Sequence, residues 1–245
     1  MGNDLVSIKD LSKSFGKVKA IDGVSLEIGE GEIFGIYGAD GAGKTTLERI
    51  LCTLENPDSG SCSIFGFDLK KDKLEIRKLI GFVPATFSLY LDLTVEENIR
   101  FHTDLFGLPF DKNDDMIAPV YRQLAPFSAR MAKNLSGGMK QKLALCCTLI
   151  NKPRLLMLDE PTTGIDAISR MELMDCLKVL NKEFGTTIML SSPYRNEIMS
   201  CDRAALIDCG MIIRVGNPSE ILPSEDMRLR ETNSESTLKS RAVYC

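Results

Sequence analysis

One short stretch limits what this chain can become more than any other. GADGAGKTT (38–46) directly follows the apolar run EIFGIY (32–37) and fits G-x-x-x-x-G-K-[ST] at Gly38, Gly43, Lys44 and Thr45. Glycines let a backbone curl until the N–H groups of consecutive residues, here Gly38, Ala39, Asp40, Gly41, Ala42 and Gly43, point inward at phosphate oxygens. A helix starting near Lys44 adds the positive end of its dipole. Lys44 can then reach the β- and γ-phosphates, and the Thr45 hydroxyl, with Thr46 beside it, can ligate Mg²⁺. A strand, such a loop and a helix in succession point to nucleotide phosphate binding in an α/β chain.

The rest of the sequence agrees with that class. LVSI (5–8), VSLEI (24–28), SCSIFG (61–66) and IGFVP (80–84) read as strands, with a charged helix over 72–79. Strand signals vanish from Val95 to about Cys147 and return as RLLMLD (154–159), TTIML (186–190) and AALID…MIIRV (204–215). A helical pattern from Ala167 to Phe184 lies between them. Strands alternating with helices imply a largely parallel sheet. The helix-only interval, about 88–150, reads as a subdomain inserted in a domain covering 1–222. Residues 223–245 read as a polar C-terminal extension or linker.

RLLMLDEP places Asp159 and Glu160 at the tip of a continuously apolar run, as the centre of a parallel sheet requires. A carboxylate there can hold Mg²⁺ beside Thr45, and Glu160 can orient or deprotonate an attacking water. NLSGGMKQKLALCCTLI (134–150) opens on a good N-cap, Ser136. Gly137 and Gly138 permit an anion to approach the start of an amphipathic helix.

These segments together closely resemble the nucleotide-binding domain of ATP-binding-cassette (ABC) transporters, over about residues 4–222. GADGAGKTT is similar to the Walker A loop, LSGGMKQ to the signature motif, LLMLDEP to the Walker B strand and TTGID (162–166) to the D-loop. The resemblance implies a P-loop NTPase with a RecA-like core, an antiparallel β-subdomain and an inserted α-helical subdomain. It implies ATP and Mg²⁺ as cofactors, with Glu160 and Lys44 catalytic and Thr45 and Asp159 at the metal. Phe15, in KSFGKVKA, matches the aromatic residue that stacks on adenine. Ser136, Gly137 and Gly138 would serve the ATP of a second cassette, identical, separate or fused. A transmembrane permease subunit would be the other partner, met in part by Tyr90 and Leu91 of FSLYLDLTVEENI (87–99). The implied place is cytoplasmic, peripheral on the inner face of the cell membrane.

Two positions depart from the family. Ala85 stands where a glutamine usually contacts Mg²⁺ and the attacking water. Pro193, after TTIMLSS, stands where a histidine usually touches the γ-phosphate. Ser191 and Ser192 beside it have no group that titrates near neutrality, and His102 belongs to the helical interval as a partly buried helix residue. Ala39 replaces a usual proline, at a position where the backbone does the binding. The chain thus resembles the degenerate first cassette of tandem-cassette exporters, binding ATP but hydrolysing it weakly at its own site.

Composition narrows the alternatives. A net charge of -4 and pI of about 5.3 supply no overall basic field, so no nucleic-acid partner is expected. The alternative within the same resemblance is a soluble ABC ATPase acting on nucleic acid or the ribosome. A GTPase would need N-K-x-D, and NKPR (151–154) lacks the aspartate. Eight cysteines without a CxxC pair, and a single histidine, assemble no zinc site. Cys146 and Cys147, in an apolar run, read as buried thiols of a reducing compartment. No apolar stretch approaches the ~20 residues that cross a bilayer.

Overall fold

Residues 4–222, apart from 87, 110, 112 and 113, are described by a computed structural model. The polar extension 223–245 lies outside the described residues. Strands β1 (Asp4–Phe15) and β2 (Val18–Gly29) form a long antiparallel pair. β3 (Ile33–Tyr37) then runs into the glycine loop and α1 (Lys44–Leu51). β4 (Ser59–Ile64) and β5 (Phe67–Asp68) complete an antiparallel sheet of order β2-β1-β4-β5.

α2 (Lys73–Leu79) leads to β6 (Ile80–Val83), the edge of the second sheet. The helical interval follows with α3 (Val95–Phe106), α4 (Ala118–Leu124) and α5 (Gly137–Leu149). β7 (Leu155–Asp159), α6 (Ala167–Phe184), β8 (Thr187–Ser192) and the short α7 (Arg195–Ile198) come next. β9 (Arg203–Asp208), β10 (Met211–Gly216) and α8 (Pro218–Ile221) close the described chain. The second sheet has the order β10-β9-β3-β8-β7-β6, parallel throughout except for β10.

Every residue of β3, β7 and β8 is buried, which explains why these runs are apolar without alternation. Successive side chains nevertheless face opposite sides of the sheet. Leu155 and Met157 join the cluster that holds α1 and the antiparallel sheet, while Leu156 and Leu158 join the cluster that holds the helical interval. Val95 and Ile99 of α3, Val120 and Leu124 of α4, and Leu143 of α5 belong to that same second cluster. The helical interval therefore rests on the sheet through one continuous core.

Local signals set the helix ends. Thr94 accepts from the N–H of Glu97 at 3.2 Å and its own N–H donates to the Glu97 carboxylate at 2.8 Å, a reciprocal cap that starts α3. Asp166 accepts from the N–H of Ser169 at 2.9 Å and starts α6. The amphipathic reading of α5 is corrected. Its residues Gln141 to Cys147 are all buried, so the helix has no solvent face over that length. The cause is its position between α4, α6 and the sheet, and even Lys142 is buried, paired with Glu172. Burial pushes the Cys146 thiol up to about 12 and the Cys147 thiol well above its usual range.

Candidate functional site

Strands β3, β8 and β7 are neighbours, and they end level. Tyr37 pairs with Ser192, and Asp159 pairs with Ser191. The alternation that sends Met157 and Met189 toward α1 sends Asp159 and Ser191 the same way two residues on. Three strand tips and the first turn of α1 thus meet beside a cleft of about 850 Å³, lined by Val18, Lys19, Asp40, Lys44, Ala85 and Glu160 among others.

The loop needs its glycines for space as well as for torsion. A Cβ on Gly43, whose φ is 108°, would lie 2.5 Å from the Ala20 carbonyl oxygen. One on Gly38 would lie 2.6 Å from the Ile207 carbonyl oxygen. Gly41, at φ 80°, is open and strained for any other residue. Gly41, Gly43, Thr45 and Thr46 line the cleft with Asp40, whereas Ala42 is buried behind the loop and its carbonyl accepts from Gly210 at 2.9 Å.

Lys44 is buried, and its Nζ donates to the carbonyls of Gly38 at 3.0 Å and Ala39 at 2.9 Å. The same ammonium pairs with Glu160 Oε1 at 3.0 Å. Glu160 itself sits at φ 46°, a left-handed backbone for a residue with a side chain. Such a conformation costs roughly 1–3 kcal/mol and gathers at functional sites. Its N–H donates to Ser191 Oγ at 3.2 Å, which helps hold it there.

Thr45 Oγ donates to Asp159 Oδ1 at 3.0 Å, and Ser191 Oγ lies 3.2 Å from that same oxygen. Glu48, fully buried on α1, accepts from Ser191 through Oε2 at 3.3 Å. Its other oxygen, Oε1, is buried and has no hydrogen-bond partner. Burial and the neighbouring Asp159 hold the Glu48 carboxyl well above the usual carboxylate range. The donor set is all oxygen and carries excess negative charge, which fits a hard divalent cation such as Mg²⁺. Thr45 and Asp159 would hold that ion.

The remaining expected residues are placed as follows. Phe15 ends β1, half exposed, with Lys13 Nζ 5.2 Å from its ring centroid, and its register partner Val18 lines the cleft. Ser136 caps α5, accepting from the N–H of Met139 at 3.3 Å, and is exposed with Gly137 partly so. None of Ser136, Gly137 and Gly138 lines the cleft. Gly138 is buried, and a Cβ there would lie 2.3 Å from Ser169 Oγ, so this glycine serves the packing of α5 on α6. Gly138→Ala is expected to destabilise the fold by about 1–3 kcal/mol through overpacking, read as a lower urea midpoint.

Sequence reasoning passed over the roles of four residues, Ser191, Ser192, Glu197 and Glu48. Ser191 and Ser192 do not titrate, yet they organise the site. Ser191 reaches Glu48, Asp159 and Glu160, while Ser192 Oγ donates to Glu197 Oε2 at 2.7 Å. Buried Glu197 also accepts from Thr162 and pairs with Arg170 at 3.3 Å, so it ties the D-loop segment and α6 to the tip of β8. Glu48 left a signal. Positions 44, 47, 48 and 51 form one helical stripe, all buried, and a glutamate in that stripe had to be buried too.

Comparison with known proteins adds what geometry leaves open. A family model described as ABC transporter matches residues 21–163. The chain is 35% identical over 236 residues to a protein called Probable multidrug ABC transporter ATP-binding protein YbhF of Escherichia coli (strain K12). That alignment covers 96% of this chain but 40% of the relative, so the chain spans two fifths of that protein's length. Among solved structures, cbiO1 from Clostridium perfringens, part of the ABC transporter complex cbiONQ, superposes with a TM-score of 0.79 at 26% identity, covering 94% of each chain. The dimeric ATP-binding cassette MJ0796, bound to ADP and Pi, does so with a TM-score of 0.75 at 27% identity, covering 87% of this chain and 98% of that one. Loop, level strand tips and matched family pattern agree, and the chain belongs to the ABC transporter family.

Proposed function

We propose that this chain is the ATP-binding subunit or domain of an ABC transporter of the export type, with weakened hydrolysis at the site built on its own loop. The observation that carries this reading is the convergence of Lys44, Thr45 and Glu160 on one cleft, with Asp159 bonded to Thr45 behind it and a bare methyl group on the wall at residue 85. Loop amides and Lys44 bind the β- and γ-phosphates, and Thr45 and Asp159 hold Mg²⁺, which neutralises phosphate charge when bound. Glu160, released from Lys44, orients the attacking water and takes its proton. Phe15 stacks on adenine. Ser136 and Gly137, away from the cleft, close over the ATP of a second cassette.

Two groups that would steady the transition state are missing, since Ala85 and Pro193 carry no hydrogen-bonding side chain. Losing one such group typically costs 10²–10³ in rate, so turnover at this site is low while binding persists. The membrane partner is met by the helical interval. Tyr90 and Phe101 expose their rings, 4.5 Å apart, and Leu91 and Leu105 are exposed nearby in the chain. Such a face favours a protein partner over nucleic acid. The chain then works as a peripheral component on the inner face of the cell membrane.

The test is titration calorimetry with Mg-ATP alongside ATPase measurement, on the chain alone and with its membrane partner. Micromolar-range uptake with slow turnover alone is expected. Ordinary cassette turnover in the isolated chain would overturn the weakened site, and absence of nucleotide uptake would overturn the whole reading.

A further inference from the structure

Among the carboxyl groups that the proposed reaction leaves without a task, Glu48 is the most confined. It is fully buried on α1, one turn below Thr45, in a stripe otherwise made of Leu47, Leu51 and the Lys44 stem. A leucine would satisfy that stripe at no desolvation cost, so packing does not explain a carboxyl there. What the carboxyl touches does. Ser191 Oγ is 3.3 Å from Glu48 Oε2 and 3.2 Å from Asp159 Oδ1, and Asp159 Oδ1 is 3.0 Å from Thr45 Oγ. The chain of contacts runs Glu48–Ser191–Asp159–Thr45. The second observation is that Glu48, whose Oε1 is buried and receives no donor, lies within direct hydrogen-bonding reach of the Asp159 carboxyl as well as of Ser191.

We propose that Glu48 is a positioning residue for the divalent cation that accompanies the nucleotide, acting with Ser191 to fix the Asp159 carboxylate against Thr45. This rests on the nucleotide-binding reading above. A metal-holding carboxylate with a free swing must be immobilised each time the cation binds. Hydrogen-bonded neighbours remove that freedom beforehand, and losing such a neighbour typically costs 10–100-fold in metal affinity. Glu48 does not touch the nucleotide. Its contribution therefore appears in the dependence of nucleotide affinity on metal, and leaves metal-free affinity alone.

The experiment compares ATP dissociation constants in excess Mg²⁺ and in EDTA for the wild-type chain, Glu48→Leu, Glu48→Gln and Ser191→Ala. Thermal melts exclude unfolded material. The EDTA to Mg²⁺ ratio should fall about tenfold in Glu48→Leu, with the EDTA constant within twofold of wild type, and should fall in Ser191→Ala as well. Glu48→Gln, which keeps both an acceptor for Ser191 and a donor for Asp159, should keep the ratio within about threefold. A wild-type ratio in folded Glu48→Leu overturns the proposal, as does an equal loss of affinity with and without metal. Should Glu48→Leu fail to fold, Glu48→Ala decides by the same criterion, because Ser191→Ala also removes a contact that Asp159 makes directly. If wild type itself takes up no nucleotide under either condition, the nucleotide-binding reading fails first, and this proposal with it.

Discussion

Lys44→Ala is expected to weaken ATP binding about a hundredfold, which is close to 2.7 kcal/mol. The estimate follows from where the ammonium sits. It is buried, and it is held by two loop carbonyls and the Glu160 carboxylate. Its position is therefore prepared before a triphosphate arrives, and little ordering entropy remains to oppose binding. Exchanging the Glu160 carboxylate for phosphate oxygens replaces one charge-assisted contact by stronger ones. Alanine loses that contact and leaves Glu160 unpaired at the mouth of the site. Calorimetry with Mg-ATP checks this, with melting curves to confirm folding. An affinity within threefold of wild type would remove Lys44 from the phosphate site.

The second large effect is a gain. Ala85→Gln combined with Pro193→His is expected to raise ATP turnover by about 10²-fold, at ATP affinity within threefold of the starting chain. Two observations favour acceptance of both side chains. Residue 85 is exposed on the cleft wall, where a longer side chain has room. At position 193 the backbone is fixed from both sides, because Ser192 Oγ is bonded to Glu197 and accepts from the N–H of Tyr194 at 2.9 Å. A histidine placed there inherits a set direction. Glu160 is already in place, so each group completes an existing constellation. Steady-state ATPase of the two single variants and the double variant decides the matter. A folded double variant with unchanged turnover would show that the loss of activity lies elsewhere.

The parts of the site that depend on spacing along the chain were legible beforehand. The glycine loop and the tip of β7 each announce themselves because a strand or helix boundary and a reactive residue coincide within a few positions. What spacing cannot express is contact across the sheet. Ser191 touches Asp159 because β7 and β8 pair in register, and no local pattern around either residue encodes that pairing. Gly138, read as room for an anion, also gives room to Ser169, a packing need that its own sequence neighbours do not encode. The amphipathic expectation for α5 failed for a related reason. Two polar letters, Gln141 and Lys142, imitate a wet face, yet both are buried and Lys142 finds its partner, Glu172, on another helix.

The sharing of one apolar cluster by the helical interval and the back of the central sheet has a mechanical consequence. Val95, Ile99 and Val120 press on the same core as Leu156 and Leu158, whose strand ends in Asp159. A close-packed core transmits displacement instead of absorbing it. A displacement of α3 therefore has a continuous packed path to the strand tip, with no dedicated lever between them. Anything that moves the helical interval and anything that moves the Asp159 tip are thus coupled through ordinary, stiff packing.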